Sequence, residues 1–306
     1  MFSQTVVLPN SLDIGTFVQF LQENNIWNIE EPETPVMLET MGHRWIEPTP
    51  LAALAVALCE RKNTHQAEID LKDFKGAKHP GYFERMKFFD LLNQPSPVYP
   101  GVHHDPSGRF IELTVFNSLK EVDNLIRQAA DLLGVDTFIA PFVTRALEEA
   151  MRNAVQHAGE GHLRLVVAQR YSSPPARIHL AIVDSGIGIR ASLFDKCESV
   201  VGDAEKALRL SVQAGISGKR GKTTGNYFEQ NQGFGLHLLN RIVEETYGRF
   251  VLATEDRLRF QDGIHTEFRK IKKINGTIMG IELFEDYLKG LNFYELQNRF
   301  IREVPW

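Results

Sequence analysis

The chain has 306 residues, 43% hydrophobic and 24% charged, the balance of an ordinary soluble globular protein with room for two domains. A formal net charge of −5 argues against nucleic acid as a partner, since that affinity rests on basic surface. Two cysteines far apart, Cys59 and Cys197, exclude a disulfide framework and a cysteine-based metal centre. Met1-Phe2-Ser3-Gln4 has no basic n-region and no apolar run reaches membrane-spanning length, so a cytoplasmic protein without a membrane partner is expected.

Residues 1–93 read as a small α/β unit. Thr5 to Leu8 predicts a strand, Leu12 to Asn24 a helix with Phe17, Phe20 and Leu21 on its apolar face, and Pro35 to Thr40 a second strand. Leu51 to Glu60 is strongly helical after Pro48 and Pro50, prolines being favoured at helix entries, and Gly81 to Leu92 predicts another helix. Gln94 to Arg109, with four prolines and two glycines and no periodicity, reads as a linker. Its His103 and His104 have no further Cys, His or carboxylate cluster nearby and read as loop residues.

From Phe110 a second unit begins. Ile111 to Phe116 predicts a strand and Leu119 to Leu133 a helix, and a further helix runs from about Pro141. Within it Glu149, Asn153 and His157 recur every four residues and form a polar stripe, with Val143, Leu147, Ala150, Met151, Ala154 and Ala158 as the apolar one. A carboxamide oxygen suits a hard cation such as Mg²⁺, and a carboxylate one turn away can orient or deprotonate a water or hydroxyl. Leu163 to Gln169 and Arg177 to Val183 predict a hairpin. The second strand runs into Asp184-Ser185-Gly186-Ile187-Gly188, where glycines let backbone approach a ligand. Residues 193–214 read as helical. Gly215 to Gly225 holds four glycines and three basic residues. Gln232-Gly233-Phe234-Gly235-Leu236 opens another helix, leaving N–H groups free for phosphate oxygens. Phe250 to Ala253 and Leu258 to Phe260 predict strands, as does the stretch beginning Gly276-Thr277. The tail 286–306 reads as helical and apolar enough to dock on the chain itself or on a partner.

Taken in order, E-x-x-x-N-A-x-x-H at 149–157, D-x-G-x-G at 184–188, G-x-G-L at 233–236 and Gly276-Thr277 resemble the ATP-binding boxes of the superfamily named for gyrase, Hsp90, histidine kinase and MutL (GHKL). The resemblance covers residues 110–285. It implies an α+β fold, the GHKL (Bergerat) α/β sandwich with helices on one face of a mixed sheet. It also implies ATP and Mg²⁺ as cofactors. Carried over residue by residue, it implies Asp184 as acceptor for the adenine amino group and Asn153 as the Mg²⁺ ligand. Gly186, Gly188, Gly233 and Gly235 would close on the nucleotide, with Leu236 and Thr277 beside them. Lys219 and Lys222 would reach phosphate from the lid, and Glu149 would act as general base. The N-terminal unit loosely resembles the STAS fold of anti-sigma factor antagonists. In that family a strand ends in an Asp-Ser-Ser-Gly turn whose serine is phosphorylated; the matching stretch here, Arg44 to Leu51, puts Thr49 near that position but replaces a serine by Pro48 and the glycine by Pro50.

Three functions follow from the resemblance: a signalling ATPase that switches conformation on Mg-ATP binding and hydrolysis, a serine/threonine kinase of the anti-sigma type acting on a STAS-like protein, or a non-catalytic nucleotide-binding module. Each implies a protein partner, and a homodimer is among the assemblies allowed.

Overall fold

The computed structural model describes residues 4–71, 74, 77–97, 105–134, 140–157, 159, 161–194, 202–216 and 235–291. The N-terminal stretch opens with β1 (Gln4–Val7), β2 (Ser11–Leu12) and α1 (Thr16–Glu23). The helix begins four residues later than its apolar pattern predicts. Leu12 is held in a bridge to Ile46, and the Asp13 carboxylate accepts from the N–H groups of Gly15 and Thr16 at 2.9 and 2.8 Å, making a turn of the intervening chain. Next come β3 (Val36–Glu39), β4 (Trp45–Ile46), α2 (Pro48–His65) and β5 (Ile69–Asp70), and β1, β3 and β5 form a parallel three-stranded sheet. The helix expected over 81–92 is two short ones, α3 (Pro80–Arg85) and α4 (Phe88–Leu91), because Lys87 between them takes a left-handed conformation with φ +61°. Phe83 and Phe89 pack edge-on against Phe74, and Phe88 packs edge-on against both of them.

The second unit comprises β6 (Phe110–Val115), α5 (Leu119–Leu133), α6 (Ala140–His157), β7 (Arg164–Tyr171), β8 (Arg177–Asp184), α7 (Gly188–Phe194), α8 (Ala204–Ser211), α9 (Gly235–Glu245), β9 (Arg249–Thr254), β10 (Arg257–Asp262), β11 (His265–Lys270), β12 (Thr277–Phe284) and α10 (Glu285–Gly290). Its seven-stranded sheet runs β11-β10-β9-β12-β8-β7-β6. Every pairing is antiparallel, which corrects the expected mixed sheet: the βαβ crossovers that parallel neighbours need are absent between the paired strands. The α5 boundaries match the sequence pattern because Ser118 and Glu121 form a capping box.

Strand alternation splits the sheet's side chains between two cores. Ile178, Leu180 and Ile182 of β8 face α5, α6 and α9, whereas Ala181 and Val183 face the N-terminal unit. That second face is covered by α2, which lies across β7, β8 and β12. From Pro48 through Cys59 the helix is apolar nearly all round and buried without interruption, as a segment with no polar face must be inside a core; its last turns, from Glu60 to His65, are polar. One hydrophobic core therefore runs from Val6 and Phe17 through α2 to Val251 and Ile278.

At the N-terminus of α2 the core turns polar. Glu47 is bonded by Ile14 N–H at 3.0 Å and by Arg177 at 3.1 Å. Arg177 also donates to Glu282 at 2.9 Å, which Arg249 meets from the other side. The fully buried Thr49 hydroxyl lies 2.7 Å from Nε2 of His179. Gly280 of β12 lies against Thr49, and any Cβ there would collide with the Thr49 side chain. No described helix is long and apolar enough to cross a membrane.

Candidate functional site

The site is assembled from the ends of β8 and β12 and the inner faces of α6 and α9. Along α6, Val143, Leu147, Met151 and Ala154 are buried against the sheet and α5, while Glu149 and Asn153 are half-buried toward α9 and the cleft. The His157 side chain lies outside the described residues, as do Ala158, His103, His104, Cys197, Lys219, Lys222, Gly233 and residues 292–306. A cleft opens beside α6, lined by Asn153, Asp184, Gly188, Leu236 and Thr277, with Ile182, Ile187 and Met279 as apolar walls. Five residues singled out from separate stretches of sequence thus share one concavity.

Asp184 is the last residue of β8 and only 8% exposed. Its Oδ1 accepts from the Gly186 N–H at 2.8 Å. Burial pushes its carboxyl up to about 6, against the opposing pull of the Gly186 N–H, Thr277, Arg164 and His162. A desolvated carboxylate with few partners is poised to accept a hydrogen bond from a ligand.

Sheet register explains the grouping. Arg164, Asp184, Thr277 and Thr254 stand opposite one another across β7, β8, β12 and β9. The turn into β12 depends on Gly276, at φ +77°, where a Cβ would run into the Asp184 carbonyl. Gly235 also lets two helices approach closely. Its missing Cβ lies 2.9 Å from Glu149 Cβ and 3.1 Å from Ala146 O, so the glycine lets α9 rest on α6 beside Glu149.

Two positions here carry no motif. Arg164, 6% exposed, donates to Ala154 O at the end of α6 and to Asn117 Oδ1, both at 3.0 Å. Thr254 is fully buried, with its hydroxyl on two of the glycine turns. Neither has a local signal: Arg164 opens a strand and Thr254 closes one, and only the register brings them to the site.

A second group of ionisable residues lies on the far face. Glu47, His179 and Glu282 could offer three metal ligands within 4.8 Å of one another. Arg177 and Arg249 already occupy their carboxylates, so a cation there would meet two guanidinium groups. Burial works to raise the Glu47 carboxyl, but His179, the Ile14 N–H and Arg177 carry it down to about 2. The group reads as a structural ion network. Thr49 belongs to it, with a hydroxyl that no solvent reaches. Cys59 is likewise buried, which pushes its thiol up to about 12.

Residues 139–273 match the family described as histidine kinase-, DNA gyrase B-, and HSP90-like ATPase. No curated protein matches the chain. Among solved structures, the mycobacterial sensor histidine kinase MprB is similar at 16% identity over 56% of this chain and 97% of that one, with a TM-score of 0.30. From the family match, the chain carries a GHKL-type, histidine kinase-like ATPase domain at residues 139–273.

Proposed function

We propose that the chain is a regulatory ATPase that binds Mg-ATP in the cleft between α6 and the ends of β8 and β12, and uses binding and hydrolysis to switch conformation. The observation that carries this reading is the buried, sparsely partnered Asp184 carboxylate facing a cleft whose opposite wall holds Asn153. In this reading Asp184 accepts from the adenine amino group, a directional contact that guanine cannot reproduce. Ile182, Ile187 and Met279 enclose the base.

The donor set fits a hard cation. Asn153 offers a neutral oxygen on the cleft wall and would hold the ion, with nucleotide phosphates and water supplying the other oxygens. Bound there, Mg²⁺ would neutralise the phosphates. Glu149, one turn earlier on α6, orients a water and takes its proton as the water attacks the γ-phosphoryl group; the bond from that phosphorus to the β–γ bridging oxygen breaks, and ADP leaves with its electron pair. The switch is supported by a shared pair of strands: β8 and β12 end at Asp184 and Thr277 on the cleft side, and both lie under α2 on the other.

The test is γ-labelled ATP with the full chain and with Glu149→Ala. Free phosphate from the parent is expected, reduced roughly 10²-fold or more in the variant, with nucleotide affinity within about threefold. Label retained on a protein would point to the kinase alternative, and neither product to a binding module.

A further inference from the structure

Two glycine turns flank Asp184: Gly186–Ile189 after β8 and Gly276 before β12. One side chain touches both. The Thr254 hydroxyl accepts from the Ile189 N–H at 3.1 Å and donates to the Gly276 carbonyl at 3.1 Å. Packing is tight at this point. A Cβ on Gly188 would stand 2.5 Å from the Thr254 oxygen and 3.2 Å from Gly276 O, and one on Gly276 would stand 2.8 Å from Gly186 N. Thr254 is also the register partner of Thr277, which is the partner of Asp184.

We propose that Thr254 is a positioning residue for the nucleotide: its one hydroxyl fastens the Gly186–Ile189 turn to the Gly276 turn and thereby fixes where Asp184 presents its carboxylate. The inference rests on the nucleotide reading of the cleft. The hydroxyl uses its single proton on Gly276 and a lone pair on Ile189. The β-branched side chain has few χ1 choices inside a strand, so the oxygen is held where both turns meet it. Without the hydroxyl, a buried N–H and a buried C=O lose their partner together, and the cheapest remedy is for the turns to part and admit water. Asp184 shifts with them, since its Oδ1 is bonded to Gly186. A displacement near 1 Å at a directional contact costs on the order of 10²-fold when chemistry depends on it.

The experiment compares the full chain with Thr254→Val, which keeps the shape and removes the hydroxyl, and Thr254→Ser, which keeps the hydroxyl. Dissociation constants for Mg-ATP and Mg-GTP are measured by calorimetry, with circular dichroism confirming the fold. Thr254→Val is expected to weaken ATP roughly tenfold or more and to narrow the ATP-to-GTP preference, with Thr254→Ser within about threefold of the parent on both. The inference is overturned if folded Thr254→Val binds ATP as the parent does, or if Thr254→Ser loses as much as Thr254→Val. Should Thr254→Val fail to fold, Thr254→Ala is judged by the same two criteria. A parent chain that binds no ATP contradicts the nucleotide reading itself, a separate outcome visible before any variant is made.

Discussion

Both faces of the seven-stranded sheet bury carboxylates, and Glu47 on one and Asp184 on the other shift in opposite directions. Beneath α2, Glu47 and Glu282 are met by Arg177, Arg249, His179 and the Ile14 N–H. On the cleft side, Asp184 has the Gly186 N–H and Thr277, with Arg164 and His162 acting only through their charge. The first arrangement drives Glu47 down to about 2; the second leaves Asp184 near 6. Burial is similar, so what separates Glu47 from Asp184 is the number of donors already on it; Glu282, though met by two guanidinium groups, is still raised by its burial and by Glu47 beside it. The carboxylates under α2 are already held by guanidinium groups, whereas Asp184 lines the cleft with the Gly186 N–H and Thr277 as its hydrogen-bond partners.

The largest effect should come from breaking the saturated face. Arg177→Ala leaves two buried carboxylates without their shared partner, a loss of about 3–5 kcal/mol. Thermal unfolding should show a midpoint lower by roughly 10 °C, with the folded fraction binding nucleotide as before. Loss of binding without loss of stability would mean that the two faces are not distinct in role.

Asp184→Asn is expected to act in reverse. It removes an acceptor for adenine and should cost ATP affinity roughly tenfold or more, as loss of a charged hydrogen bond does. It also removes a charge whose burial is opposed by the fold. A shift from 3.8 to about 6 corresponds to about 3 kcal/mol at neutral pH, so the variant should be as stable as the parent or more so. Denaturant titration beside calorimetry reads both.

The smallest effect is in the pH dependence, and its sign differs between the faces. Asp184 has a folded value above its ordinary one, so its contribution to apo-protein stability rises as pH falls from about 6 toward 3.8. ATP affinity should fall over the same range, in total by no more than Asp184→Asn costs, because the protonated acid no longer accepts from adenine. Asp184→Asn supplies the blank for nucleotide titration. Glu47 works the other way: its contribution is complete above 4.5 and is lost as pH falls toward 2. An ATP affinity flat from pH 7 to 5 in the parent would remove Asp184 from the adenine contact.

The cleft was legible because its chemistry sits in short runs. Asp184 with Gly186 and Gly188, and Asn153 one turn from Glu149, are local patterns that survive without a tertiary structure. α5 was legible for the same reason, bounded by Ser118 and Glu121 on one side and Gly134 on the other. What escaped is set by distant partners. Leu12 leaves the α1 pattern to pair with Ile46, and Lys87 breaks a helix that periodicity would continue. The burial of α2 depends on a sheet more than a hundred residues later, and Gly280 makes sense only once Thr49 is found against it. Thr254 and Arg164 reach the site through register alone.

Calorimetric titration of the full chain with Mg-ATP at pH 7.5 tests the central claim most directly. The account predicts saturable binding at one site, weakened roughly tenfold or more by Asp184→Asn. No heat of binding at millimolar nucleotide, or identical isotherms for parent and variant, would contradict it.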